Sequence, residues 1–286
     1  MTTIEQAPVQ SGRQGLRGEL AKLAAFGRRD LLVAWSYRLS FVADLVALFG
    51  QAVMFGFISK LVDPSVMPDY GGRPTSFVAF VIVGLTVGVF VHLGWNKIVA
   101  AIRNEQLMGT LESMFLTPTR TMTIQLGLVI YDLVYIPLRT VVFLAVVSAV
   151  FGVAFDLSGL GPAVAVLMGF IPWVWGVGIA SAAGVVTFRR GANLIGFSAM
   201  FLNLGSGVFF PLELLPGWAR ALARVNPIAI ATESIRQALL GGAGWAQAWS
   251  ALALLVPMSS AALVVGAWAF NLALRRERRL GTLGQY

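Results

Sequence analysis

Long apolar runs alternate with short polar ones along this chain. Six apolar runs can be traced: about Leu39 to Leu61, Phe77 to Ala101, a stretch within Leu126 to Phe155, Pro162 to Phe188, Ala192 to Leu214, and Trp249 to Leu274. Each reaches the roughly 20 residues a helix needs to cross the hydrocarbon of a bilayer. Upstream of them, Leu16, Leu20, Leu23, Gly27 and Leu31 recur at spacings of three and four, while Lys22, Arg28 and Arg29 point elsewhere. That pattern predicts an amphipathic helix lying in the headgroup layer. The fold expected is an all-α integral membrane protein with six transmembrane helices. Residues 1–15 read as a polar tail, 16–274 as one transmembrane domain and 275–286 as a basic tail.

Composition agrees. Hydrophobic residues make up 57% of the 286 and charged ones 12%, against roughly 25% charged in soluble domains; mean hydropathy is +0.79. The formal charge of +8 could indicate nucleic acid, but its distribution points to membrane topology instead. Arg13, Arg17, Lys22, Arg28, Arg29 and Arg38 precede the first run, and Lys97, Arg103 and Arg120 flank the second connection. Arg189 and Arg190 lie in the fourth connection, and Arg275, Arg276, Arg278 and Arg279 in the tail. The alternate connections carry only Lys60, Arg73, Arg220, Arg224 and Arg236. The positive-inside rule therefore puts both termini in the cytoplasm. Trp35, Trp95 and Trp268 fall at the inner boundaries, and Trp218, Trp245 and Trp249 at the outer ones, as interfacial anchors do.

Candidate chemistry is sparse. There is no cysteine, and the single histidine is His92, so thiolate chemistry and histidine clusters are excluded and no metal site is expected. The polar start lacks the apolar core of a cleaved signal peptide.

One connection stands out: "RNEQLMGTLESMFLTPTR", residues 103–120. On a helical wheel Leu107, Met108, Leu111, Met114 and Phe115 share about 120° of arc, the width of a buried stripe. Glu105, Gln106, Thr110, Glu112 and Ser113 take the other side. Thr117 and Pro118 end the helix, because a residue before proline is pushed out of the α region. Periodicity alone leaves a docking helix and an amphipathic connecting loop equally open.

Further on, "SGVFFPLELLPGWARALARVNPIAIATESIRQALLGG", residues 206–242, is broken by Pro211, Pro216 and Pro227 and carries Glu213, Arg220, Arg224, Glu233 and Arg236. Such charges do not face lipid cheaply. Glu233 and Arg236, three apart, are placed to pair on one helical face.

Together these two stretches resemble the type-2 ABC exporter permeases. The matching residues are Glu105, Gly109-Thr110-Leu111-Glu112 and Thr117-Pro118 in the first, and Phe210-Pro211, Leu215-Pro216, Asn226-Pro227, Glu233 and Arg236 in the second. The resemblance implies that residues 103–118 form a cytoplasmic coupling helix seated on an ATP-hydrolysing subunit. It implies that residues 206–242 form short re-entrant helices on the outer side, between spans five and six. It also implies a homodimer of this chain with two ATPase subunits, a heterodimer with a second permease being the alternative.

Lys22, Lys60 and Lys97 are the only lysines, and none sits in a G-x-x-x-x-G-K-[ST] phosphate loop. No cofactor is expected on this chain; ATP and Mg belong to the partner.

Several intramembrane residues are candidates for a pathway or for packing. Asp44 and Gln51 share a face of the first span, and Asp132 and Arg139 a face of the third, with Asp132 at the cytoplasmic boundary and Arg139 placed to snorkel. Trp173 and Trp175 sit deep in the fourth span, where packing is the plainer role. His92 reads as interfacial. Gly176, Ala180 and Gly184 make a small-residue stripe suited to close helix approach, within one subunit rather than between two.

The function expected is a permease subunit exporting a hydrophobic or amphipathic substrate (drug, lipid or lipid-linked glycan) with a separate ATPase. An ion-coupled secondary transporter is the alternative, though no repeat relates the two halves. A lipid-modifying membrane enzyme would need converging acids, histidines or metal ligands, and no catalytic residue is proposed.

Overall fold

The computed structural model describes residues 16–36, 38–108, 123, 127, 130–187, 200 and 202–280. Its helices are α1 (Leu16–Ser36), α2 (Arg38–Ser59), α3 (Phe77–Leu107), α4 (Ile130–Phe151), α5 (Leu160–Thr187), α6 (Gly217–Arg224), α7 (Pro227–Gly241) and α8 (Trp245–Leu280). Strands β1 (Asp69–Tyr70) and β2 (Arg73–Pro74) pair antiparallel, Tyr70 opposite Arg73. Gly71 and Gly72 connect them with φ of 59° and 71°, the backbone that a two-residue hairpin turn requires.

Two stretches are long and apolar enough to cross a bilayer: Leu157–Val185, a 3-10 turn leading into most of α5, and Trp245–Arg276 in α8. α2, α3 and α4 carry shorter apolar stretches, Leu45–Ser59, Phe77–His92 and Tyr135–Phe151. The fifth apolar run, Ala192 to Leu214, falls largely outside the described residues.

Two helix bounds differ from expectation. α3 passes Ala101 without a break and ends at Leu107, so Arg103–Leu107 continue the second span instead of starting a new helix. α8 likewise runs through the basic tail to Leu280. Neither junction holds a proline or glycine to stop a helix.

The main apolar core is built by α3, α5 and α7, with Phe80, Val81, Ile82, Val83, Val87 and Phe170 almost fully enclosed. α5 and α8 pack along much of their lengths. A Cβ on Gly176 would overlap the α8 backbone at Ala262 and Leu263, and one on Gly266 would overlap Gly176. The small residues thus let two helices of one subunit approach backbone to backbone, as the stripe predicted. Ser259 Oγ adds a hydrogen bond to Gly169 O at 2.7 Å.

The outward faces are apolar, as lipid contact requires: Val46, Phe57, Val141, Val264 and Leu272 are all exposed. Trp35, Trp218, Trp245, Trp249 and Trp268 are exposed as well. Trp95 is a correction, being only 3% exposed. Its stretch of α3 is pressed against α5, where a Cβ on Gly178 would reach Gly94 O and Ile98. Trp173 is buried and stacks on Phe170 at 5.7 Å, and Trp175 packs against a second apolar cluster. Both tryptophans make packing contacts.

α1 rests on the α4 side through Phe26, whose ring faces Gly127. It leaves Leu20, Leu31 and Leu32 exposed, and Lys22 bonds Glu19 at 3.0 Å.

Candidate functional site

The region between the fifth run and α8 is a set of short helices folded back on the core. Pro211 precedes a 3-10 turn at Leu212–Leu214, and Pro216 precedes α6. Arg220 on α6 donates to the carbonyl oxygens of Glu213 and Leu215, tying these pieces together. Phe210 lies in the bend before Pro211, half-buried, and Leu215 caps the 3-10 turn.

α7 begins as Asn-Pro sequences commonly do. Asn226 Oδ1 accepts from Ile228 N at 3.0 Å, and Pro227, which has no N–H to satisfy, takes the first turn. Asn226 Nδ2 also donates to Leu202 O at 2.8 Å, fastening α7 to the middle of the fifth run. Gly242 ends the helix in the left-handed region, φ 64°.

Arg236 on α7 is 1% exposed, yet no carboxylate among the described residues pairs with it. Its Nε donates to Phe80 O at 3.0 Å, Nη1 to Gly207 O at 2.8 Å and Nη2 to Val208 O at 2.9 Å. One guanidinium thereby satisfies carbonyls of α3 and of the 205–208 turn. The expected Glu233–Arg236 pair is not made. Glu233 accepts instead from the Tyr70 hydroxyl at 3.0 Å and from Gln237 Nε2 at 3.3 Å. Three converging carbonyl oxygens match the planar fork of donors better than one carboxylate on its own helix. Tyr70 is buried, and burial, reinforced by the Glu233 carboxylate, holds its phenol well above the usual range. It therefore remains a neutral donor. Gly71 packs against Gly241, so the hairpin sits directly on the end of α7. Asp156 N donates to Leu239 O at 2.7 Å and brings the α4–α5 connection to the same place.

Beside this plate of short helices lies a cleft of about 540 Å³ between α2, α3, α4 and the segment 203–209. Gln51, His92, Arg139 and Asn203 bring polar side chains to it, one from each of four separate segments. Leu85, Val89 and Phe209 line an apolar side. Of the expected pathway residues, Gln51 and Arg139 meet here; Asp44 lies on α2 and Asp132 on α4, with side chains outside the described set. His92, read as interfacial, faces the cleft. Asn203 was not singled out, although it is the only polar side chain between Ser198 and Ser206.

Glu105 lies in the last turn of α3, its side chain outside the described set. Gly109, Thr110, Leu111, Glu112, Thr117 and Pro118 fall outside the described residues. No cluster of metal-ligating side chains occurs among the described residues.

A family model described as ABC-2 type transporter matches residues 21–240. No curated protein matches the chain. The matched span takes in α2 to α6 and nearly all of α7, with the cleft, the plate of short helices and the 103–118 connection.

Proposed function

The chain belongs to the ABC-2 type transporter family, and from that premise we propose that it is the permease subunit of an ATP-driven exporter. The family is a membrane transport component that normally works with an ABC ATPase. In this reading residues 16–274 form one six-span transmembrane domain of a prokaryotic plasma membrane, with both termini cytoplasmic. Two copies of the chain enclose the pathway, and one ATPase subunit lies under each. Residues 103–118 form the coupling helix, with Glu105 and Glu112 turned toward the ATPase. Residues 206–242 form the outer re-entrant helices. The cargo is hydrophobic or amphipathic.

The observation that carries this reading is the family match over 220 residues, from 21 to 240, which spans both sequence motifs. The charge distribution agrees, since the 103–118 connection lies on the arginine-rich side.

The test is co-expression with the ATPase subunit and reconstitution in vesicles. Glu105→Lys or Glu112→Lys should leave the chain inserted while ATP hydrolysis no longer drives transport. Normal transport by both variants would overturn the coupling assignment. Transport that persists with a hydrolysis-dead ATPase would point to ion coupling instead.

A further inference from the structure

Helix α1 has two sides of different character. On a wheel of about 100° per residue, Lys22, Leu23, Phe26, Gly27 and Asp30 share one side, and all are half-buried. That side meets the protein, with the Phe26 ring against Gly127. Leu20, Ala24, Arg28, Leu31, Leu32 and Trp35 fill an arc of about 120° on the other side, and all are exposed. The open arc is therefore not the stripe that the sequence spacing picks out. Packing on the α4 side takes up Leu23 and Gly27, and it turns Arg28 into the apolar arc that remains.

The arc is open to a degree that water does not favour. Leu20, Leu31 and Leu32 are each 57% exposed and Trp35 is 67% exposed. Arg28 is the only charge among them, and no acidic group pairs with it among the described residues. The neighbouring cations are engaged, Lys22 with Glu19 at 3.0 Å and Arg29 with Asp30 at 2.8 Å. Over its whole length α1 holds Arg17, Lys22, Arg28 and Arg29 against Glu19 and Asp30, an excess of positive charge.

The position of the helix says what covers the arc. α1 ends at Ser36 and α2 begins at Arg38. Its covered side rests on Gly127, three residues before α4 begins at Ile130. The helix is thus held where two apolar helices start, at the boundary of the bilayer that surrounds them.

We infer that this arc is seated in the leaflet at that boundary and that Arg28 binds the phosphate of an acidic phospholipid. The leucines and Trp35 enter the edge of the acyl region, as the apolar face of an interfacial helix does. The Arg28 stem lies along them while its guanidinium reaches up to the head group, where it can take a phosphate through two parallel hydrogen bonds. The excess positive charge of α1 favours an acidic lipid over a neutral one. The inference goes beyond the permease reading and does not rest on it, since it needs only a bilayer around α2 and α4.

The test uses the full chain in nanodiscs of phosphatidylcholine mixed with phosphatidylglycerol. Because the chain has no cysteine, a nitroxide can be placed singly at Ala24→Cys or Leu31→Cys. Ser65→Cys, on an exposed turn, is the aqueous control. Collision with a neutral nickel chelate should be largely lost at Ala24 and Leu31 relative to Ser65, while collision with oxygen should rise. Nickel access equal to that at Ser65 would put the arc in water. Shielding from both reagents would put it under protein, such as a second copy of the chain. Either result overturns the inference.

The head group is tested by lipid exchange. In phosphatidylcholine alone, nickel access at Ala24→Cys should increase. Arg28→Gln should erase this difference between the two lipid mixtures, and Arg28→Lys should keep part of it. Arg28 is exposed, so both variants leave the packing of α1 on the protein intact. No difference between the mixtures, or a difference that survives in Arg28→Gln, would overturn the phosphate assignment.

Discussion

The guanidinium of Arg236 lies over the ring of Phe80, its central carbon 3.4 Å from the ring centroid, while its Nε donates to the carbonyl oxygen of the same residue at 3.0 Å. Phe80 thus meets the cation through both its side chain and its backbone, and the charge is held between α7 and α3.

Removing that cation should unfasten the plate of short helices. Arg236→Met leaves the Gly207 and Val208 carbonyl oxygens in the interior without this donor, at about 1–3 kcal/mol each, and takes a second bond from Phe80 O, which also accepts within α3. We expect a loss on the order of 3 kcal/mol or more, read as a lower thermal midpoint by tryptophan fluorescence in detergent. Arg236→Lys should recover only part, because an ammonium cannot reproduce the fork geometry. A midpoint within a degree of the parent for Arg236→Met would show that the three bonds are worth little.

Tyr70 supplies a pH test. Its folded pKa is raised above the ordinary phenol value near 10, so the folded state keeps a proton that the unfolded state gives up. This contribution is fully present below about pH 10 and decreases as pH rises beyond it. Tyr70→Phe should lose about 1 kcal/mol at neutral pH, the worth of one hydrogen bond. Its stability should then fall less steeply than the parent's above pH 10. Parallel profiles for the two proteins would show that Tyr70 is not the titrating group.

Gly176 tests the contact of α5 with α8. Gly176→Val places a side chain where the α8 backbone already lies, and overpacking of this kind costs about 1–3 kcal/mol. Gly217→Ala, with open space around it, is the matched control. The first should lower the yield of monodisperse protein and the second should not.

Topology can be read without background labelling, because the chain has no cysteine. Ser65→Cys, on the exposed turn before the hairpin, should react with a membrane-impermeant maleimide added to intact cells. Met108→Cys, exposed just after α3, should react only after the cells are opened. The reverse pattern would invert the proposed orientation.

What the sequence made legible follows the range of the interactions. Helices α2 to α5 and α8 show as long apolar runs, and Asn226-Pro227 shows as a helix start, because those signals lie within a few residues of each other. The i,i+3 spacing of Glu233 and Arg236 pointed to a pair for the same local reason. The true acceptors of Arg236 belong to residues 80, 207 and 208, which no window on residue 236 contains. The cleft escaped in part for a similar cause. Gln51 and Arg139 each looked notable alone, but their meeting with His92 and Asn203 is a product of packing among four separate segments. Trp95 misled because aromatic placement along a run says nothing about which face another helix covers.

α3 differs from α4, α5 and α8 in containing no proline, whereas those helices hold Pro137, Pro172 and Pro257. Its 31 residues make a rod of about 46 Å. One end adjoins the 103–118 connection, the middle carries His92 into the cleft, and Phe80 near the other end is gripped by Arg236. In the proposed exporter, a push applied at Leu107 would find no proline hinge in which to dissipate, and the rod would carry it to the plate it is pinned to.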